Sequence, residues 1–445
     1  MAELTTGRTG MWAFIMIWAG QVISVIGSDL TGFALGVWVY QRTGSVTQFT
    51  LIVICTVAPG ILLSPLVGAL VDRWDRRSIM ILSNITSGLC TLAIALLFLL
   101  GWLQQWHIWI LMAAISTATA FLLPAYSASI SLMVPRRHLG RASGMVQFGQ
   151  AAAEIVSPLL AGLLILTIHL DGVLLIDFGT YLVAIAALLI VSIPRPEISP
   201  ESDATGQGSL LREVAYGWVY IKDRPGLLGL LIFFAVTNFT LAMSNVLTAP
   251  LLLSFASPAV YGTVVSTAGI GLLLGSALMG VWGGPKRRIY GVFSYGLILG
   301  GALILEGLRP NALLIAIALF ISAFIFPIAN GSAMPILQSK TSPHVQGRVF
   351  ATVRFIAGWS VPFSYLIAGT LADRVFKPLL ETDGPLASSV GKVIGVGPGR
   401  GIGLLLVVVG MVTVLATMRG YFYPRLRFVE AELPDAITDR IARAT

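Results

Sequence analysis

Four acids sit where an acid is costly to keep. Asp29, Glu154, Asp177 and Glu306 each fall within a long run of apolar residues. If those runs cross a bilayer, an ionisable side chain in one of them costs about 2.5–3.5 kcal/mol on insertion scales, and its retention points to a role. A carboxyl in such a place can take and release a proton as its access to water changes, or receive a cationic or hydrogen-bonding ligand. Glu154 is the most central of the four. Gln147, Gln150, Glu154 and Ser157 recur at i, i+3, i+7 and i+10, so they share one helical face. A polar stripe at that depth must turn toward a cavity or other helices rather than lipid. Asp29 stands in the first run, with Gln21, Ser24 and Ser28 on the same broad face. Asn238 and Asn245 bring amides to the seventh run. Asp177 and Glu306 lie nearer the ends of their runs, where water or headgroups can reach them, and carry the weaker functional expectation.

The apolar runs follow from composition. The chain has 445 residues, 56% apolar and only 11% charged, against about a quarter charged in average globular proteins. Its mean hydropathy is positive. The net charge of +8 invites a nucleic-acid partner. The basic residues fall in short loops and not on one stripe, so that reading is set aside. Cys55 and Cys90 lie inside apolar runs, the four histidines fall in loops at irregular spacing, and the Gly391–Gly403 stretch lacks the phosphate-loop pattern. No metal or cofactor is expected. The residues before the first run lack a basic region and a small-residue cleavage site, so that run reads as a retained span.

A span needs about 20 mostly apolar residues. On that measure twelve are predicted, at 12–40, 47–71, 79–101, 108–133, 144–168, 173–193, 226–255, 260–283, 290–306, 312–336, 349–371 and 401–418. Trp12, Trp38, Tyr40, Trp102, Trp106, Trp109 and Trp282 lie near their ends, as interfacial aromatics do. With the N-terminus inside, 21 Lys and Arg fall in cytoplasmic segments and 6 in outer loops. That asymmetry puts both termini in the cytoplasm. The predicted organisation is a six-helix bundle over 1–193, a cytoplasmic linker over 194–225, a second six-helix bundle over 226–418 and a cytoplasmic tail over 419–445. The linker opens on Pro194, Pro196 and Pro200 and closes on Leu211, Val214, Trp218 and Ile221 at helical spacing. That closing stretch is predicted to be an amphipathic helix on the inner membrane surface. The outer segment 372–400 is the longest on its face, and reads as an inert loop rather than a lid.

Between the second and third runs stands Gly68-Ala-Leu-Val-Asp72-Arg73-Trp-Asp75-Arg76-Arg77, a hinge with five charges. The halves echo one another. Gly140-Arg141-x-x-x-x-Val146-x-Phe148 matches Gly347-Arg348-x-x-x-x-Val353-x-Phe355, and Gly162 and Gly369 each lie 21 residues after the arginine. The hinge has a weaker echo at Gly280 and Arg288, where Gly284 replaces the acid. Two repeats of six spans about an axis along the membrane normal fit this pattern.

Twelve spans, a central linker, two similar halves and a Gly-x-x-x-Asp-Arg-x-x-Arg-Arg hinge resemble the major facilitator superfamily over nearly the whole chain. The opening Gly20-Gln21-x-x-Ser24-x-x-Gly27-Ser28-Asp29 and Arg42-Thr43-Gly44-Ser45 look closest to its macrolide, multidrug and siderophore exporters. The hinge departs from the family at Asp75, where a glycine is usual. The resemblance implies an all-α fold of two six-helix repeats lining a central cavity, with a latching role for Gly68, Asp72, Arg73, Arg76 and Arg77. Asp72 is placed at the start of the third span, where a helix N-terminus favours negative charge. The alternative for the arginines is that they only enforce topology. Gly149-Gln-Ala-Ala-Ala-Glu154-Ile-Val-Ser157-Pro158-x-x-Ala161-Gly162 resembles the Gly-Pro-x-x-Gly-Gly of exporters, with Ser157, Pro158 and Gly162 as packing or kink residues. What is implied is a secondary transporter and not an enzyme. It would be multi-pass in the plasma membrane (a bacterial inner membrane), and would export a small amphipathic molecule by alternating access as a proton antiporter, working as a monomer. An importer or lipid flippase of the same fold, or a non-transporting membrane sensor, are the alternatives.

Overall fold

The computed structural model describes residues 10–191, 218–342 and 345–432. Among the described residues, 12 helices are long and apolar enough to cross a membrane. They are α1 Met11–Thr43, α2 Val46–Arg73, α3 Arg76–Leu99, α4 Gln105–Met133, α5 Leu139–Thr167, α6 His169–Ile190, α7 Pro225–Leu253, α8 Pro258–Trp282, α9 Arg288–Leu308, α10 Ala312–Lys340, α11 Gln346–Leu371 and α12 Arg400–Phe422. The predicted all-α architecture and each of the twelve spans are present.

Local chemistry explains the breaks. Gly44 takes the left-handed conformation, φ 61°, and returns its N–H to Tyr40 O, which closes α1. Ser45 then caps α2 by accepting from Gln48 N at 3.3 Å. Only Trp74 and Asp75 separate α2 from α3. Asp75 is the N-cap of α3, its carboxylate accepting from Ser78 N at 3.0 Å and Ser78 Oγ at 2.7 Å. The acid found where the family keeps a glycine is therefore the cap. This corrects the position expected for Asp72, which lies in the last turn of α2 and not at the start of α3. The side chains of Gly68, Asp72 and Arg73 lie outside the described residues.

The chain divides into two compact units, one of 1–202 with 256–266, the other of 203–255 with 267–445. The start of α8 thus groups with the first unit. In that unit the apolar core is split into two layers. One joins Ala13, Phe14 and Ile17 of α1, Met80 of α3 and Leu188 of α6. The other joins Leu30, Ala34 and Leu35 of α1, Ile94 of α3 and Leu170, Val173 and Leu174 of α6. The stretches of α1, α3 and α6 between these layers carry Ser24, Thr31, Ser87, Thr91 and Asp177, all buried. A polar layer thus runs through the middle of the unit.

In the second unit an apolar cluster joins Leu227, Leu230 and Leu231 of α7, Val292 and Phe293 of α9, and Ile336 and Leu337 of α10. Ile221 belongs to the same cluster and is buried. The end of the predicted surface helix therefore packs against protein, while Trp218 is exposed; Leu211 and Val214 lie outside the described residues. Leu426 and Val429 join the cluster as well. The predicted tail accordingly begins later than residue 418: α12 runs on to Phe422, and the short helices Pro424–Arg427 and Val429–Glu432 dock on the bundle. Glu430 accepts from the backbone N–H of Arg288 at 3.2 Å and of Ile289 at 3.1 Å. A carboxylate on the first turn of α9 satisfies orphan donors and complements the helix dipole. Lys340 Nζ donates to Glu430 O at 2.6 Å and fixes this turn from α10. Glu430→Ala is expected to cost about 0.5–2 kcal/mol, the value of a lost helix cap. Thermal unfolding of the purified protein checks it, with Glu432→Ala as the surface control.

The segment between α11 and α12 is structured. A π-helical turn over Ala372–Phe376 continues α11, and Leu380 and Ile394 pack with Leu404 of α12. Arg400 is buried beneath it and its Nη1 donates to Ile394 O at 3.2 Å.

Candidate functional site

The polar layer of the first unit is built around Asp177 of α6, which is 1% exposed. Thr91 Oγ1 of α3 donates to Asp177 Oδ2 at 3.2 Å, and Thr180 Oγ1 lies 3.5 Å from Oδ1. Gly27 leaves the room: a Cβ there would stand 2.9 Å from Asp177 Oδ1. Beside it Tyr181 Oη and Ser28 Oγ are 2.8 Å apart. Asp177 was expected within reach of water or headgroups. The structure corrects this, because hydroxyls of α3 and α6, with α1 packed against the carboxyl at Gly27, enclose it in the core.

Asp29 belongs to a different face of α1. Gln21 and Ser24 are buried and Ser28 turns to Tyr181, whereas Asp29 is exposed and turns to α5. The single broad face expected for these residues is in fact two. Ser157 Oγ of α5, itself buried, donates to Asp29 Oδ2 at 3.4 Å. Glu154 lies one turn before Ser157, the residue that meets Asp29. The exposed Asp29 of α1 and Glu154 of α5 thus flank the Ser157 contact, while Asp177 of α6 is buried.

The surface of α5 shows which way this group opens. Gln147, Gln150 and Glu154 are exposed on one side. Phe148, Val156, Leu159 and Leu163 are exposed on the opposite side at 3.6 residues per turn. The apolar side suits lipid and the polar side suits water. Pro158 sits within α5, so the Glu154 carbonyl lacks its usual helical donor. Gly162 is a close-packing position: a Cβ there would meet Pro258 O at 2.6 Å, and one on Gly262 would collide with Pro158 O. The beginning of α8 thus lies backbone to backbone on α5 within the first unit.

Of the hinge residues, Arg76 and Arg77 are fully placed. Arg76 Nη1 donates to Ala128 O of α4 at 3.0 Å. Arg77 Nε and Nη2 donate to Leu188 O and Leu189 O in the last turn of α6, each at 2.9 Å. Both guanidinium groups are taken up by helix carbonyls of their own unit, and Arg77 caps the C-terminus of α6.

The second unit holds Asn238 and Asn245. Asn238 Nδ2 donates to Phe234 O of its own helix at 2.9 Å, and Asn245 is exposed. Glu306 of α9, expected near water, is 1% exposed. It is enclosed by Ser244 and Thr248 of α7, at 2.8 Å and 2.6 Å. Each half therefore buries one acid against helix hydroxyls, Asp177 in one and Glu306 in the other. Sequence reasoning named both but gave them the weaker expectation. The available signal was hydroxyls at positions 91 and 180, and 244 and 248, in apolar helices.

Comparison with known proteins decides the family. The sequence model of the Major Facilitator Superfamily matches residues 17–377. The chain belongs to the Major Facilitator Superfamily. Macrolide efflux protein A of Streptococcus pyogenes is 26% identical over 366 residues, which cover 81% of this chain and 90% of that protein. The multidrug efflux pump Tap of Mycolicibacterium fortuitum is 24% identical over 359 residues, covering 78% and 86%. Among solved structures, a bacterial homolog of the human lysosomal transporter Spinster, inward-facing and unoccupied, superposes with a TM-score of 0.70 at 15% identity, over 94% of this chain and 97% of that one. The nucleoside transporter NupG superposes at 0.66 and 14% identity, over 93% and 100%. These likenesses show the fold. As a member of the superfamily with twelve spans, this protein is a multi-pass plasma-membrane transporter and not an enzyme.

Proposed function

We propose that this transporter exports a small amphipathic molecule, of the macrolide or multidrug kind, in exchange for protons. Asp29 and Glu154 are the coupling pair, in a monomer with both termini in the cytoplasm. The reading rests above all on two exposed carboxyls, Asp29 on α1 and Glu154 on α5, brought together where Ser157, one turn after Glu154, meets Asp29. A proton or a basic group on the substrate can neutralise this pair, and only one of them can do so at a time. That competition is what exchange requires. If substrate enters when the pair faces one side and protons replace it when the pair faces the other, inward proton flow drives the substrate out. Gln147 and Gln150 extend the polar strip along which a substrate makes hydrogen bonds, and Asn238 and Asn245 are the amides proposed to serve from α7. The names of the efflux relatives support the substrate class and direction. For the hinge we propose that Gly68, Asp72 and Arg73 latch the cytoplasmic end, while Arg76 and Arg77 stiffen the half against which the latch works.

The test is proton movement in proteoliposomes, wild type against Glu154→Gln, challenged with macrolides, other hydrophobic drugs and siderophores. A compound that evokes proton release from wild type and not from the variant is the expected result. Substrate accumulation that proceeds without any proton movement would sink the antiport reading. Counterflow of the same compounds separates export from import or lipid flipping.

A further inference from the structure

The three contacts around Glu306 contain one more hydrogen bond than the neighbouring hydroxyls can make. Thr248 Oγ1 is 2.6 Å from Glu306 Oε1 and 2.8 Å from Ser244 O. Ser244 Oγ is 2.8 Å from Glu306 Oε2. Each contact is short enough to need a hydrogen. Ser244 and Thr248 carry one hydroxyl hydrogen each. Ser244 has only the carboxyl to donate to, so its hydrogen goes to Oε2. Thr248 has one hydrogen for two acceptors. If Glu306 were a carboxylate, two acceptor oxygens would face each other with nothing between them, at 2.6 or 2.8 Å.

We infer that Glu306, Ser244 and Thr248 form a proton-binding site in the second half, in which Glu306 is a neutral carboxylic acid. The carboxyl O–H donates to Thr248 Oγ1, Thr248 donates to the Ser244 carbonyl, and Ser244 Oγ donates back to the second carboxyl oxygen. Every hydrogen then has an acceptor and every short contact a hydrogen. The surroundings agree. Glu306 is 1% exposed. No Lys, Arg or His among the described residues forms an ion pair with it. α7 carries no charged residue at all. On α9 itself Arg288 lies at the far end, beside Glu430, and Arg309 just beyond the other end. α10 contributes only Lys340, bonded to Glu430 O. α12 contributes Arg419 at its distant end and Arg400, whose Nη1 donates to Ile394 O and whose buried Nε and Nη2 meet no acceptor, Glu306 included, and the 391–394 turn contributes Lys392. A buried carboxylate with no cation is costly, whereas a hydrogen-bonded neutral acid is not. The site is separate from Asp29 and Glu154 and does not depend on their proposed coupling role.

The experiment is infrared spectroscopy of the full-length protein in lipid nanodiscs at neutral pH, with no substrate present. A protonated-carboxyl C=O stretch is expected in wild type and missing from Glu306→Gln. A difference spectrum that shows instead the loss of carboxylate stretches overturns the site. Thr248→Val gives a second readout. It removes the acceptor of the carboxyl hydrogen, so the same band is expected to move to higher frequency, toward a free acid; an unmoved band overturns the ring. Glutamine can donate to Thr248 and accept from Ser244 as the neutral acid does. Glu306→Gln is therefore expected to keep the wild-type unfolding midpoint while Glu306→Ala lowers it. If the glutamine unfolds as early as the alanine, the neutral ring is wrong.

Discussion

Asp29→Asn is expected to leave the transporter folded, to weaken binding of a basic substrate on the order of 10- to 100-fold, and to abolish proton-driven accumulation. The side chain is exposed and its one hydrogen bond, from Ser157 Oγ, is long at 3.4 Å, so little folding energy depends on it. Its charge is another matter. A hydrogen bond to a charged group contributes about 1.5–3 kcal/mol, and each 1.4 kcal/mol is about a factor of ten in affinity. Asparagine keeps the shape and the hydrogen-bond acceptor but can neither carry a proton nor offset a cation. Downhill counterflow of a neutral substrate is expected to survive, because it needs passage and not the charge. Binding titrations with a basic and a neutral substrate, together with uptake under an imposed proton gradient, measure all three effects. Equal losses for the two substrates would show that Asp29 shapes the passage and does not couple.

Gly307→Val is expected to prevent the second half from folding. α9 and α12 touch backbone to backbone: a Cβ on Gly307 would collide with Gly403 O, and one on Gly403 would stand 2.6 Å from Gly307 O. The same pairing repeats along the helices, where a Cβ on Gly410 would stand 2.6 Å from Gly300 O. Overpacking a core typically costs about 1–3 kcal/mol when side chains can yield. Here the obstacle is a carbonyl in a helix, which cannot yield without separating the two spans, so a larger cost is expected. Such a loss is severe against a total stability of about 5–15 kcal/mol. It would also disturb Glu306, the residue just before the contact. Gly301→Val is the control, since a Cβ there meets nothing within 4 Å. Yield of monodisperse protein and its thermal midpoint in detergent separate the two. Equal behaviour would mean that the seam is looser than the structure draws it.

Several of these features were legible in the chain itself. Hydropathy over twenty residues locates a span because insertion depends on the summed transfer of consecutive side chains, which is a local property. The twelve helices accordingly start and stop within about five residues of the predicted bounds. Thr43-Gly44-Ser45 could be read as a stop and a start, since a left-handed glycine and a capping serine act within one turn. The polar stripe of α5 was legible for the same reason.

What the sequence could not disclose depends on groups far apart along it. Arg77 bonds the carbonyl of Leu188, and Glu430 caps α9 at Arg288. Asp177 and Glu306 looked peripheral by position, and only the packing of α3 around one, and of α7 around the other, encloses them in hydroxyls. Asp29 and Ser28 are adjacent in the chain yet face α5 and α6 respectively. Composition and periodicity thus determined the spans and the stock of acids, and the hinge and loop motifs carried the family resemblance. Tertiary structure decided which acids are open and which are enclosed, because a hydrogen bond is made across helices and its partner is fixed by packing, not by spacing along one of them.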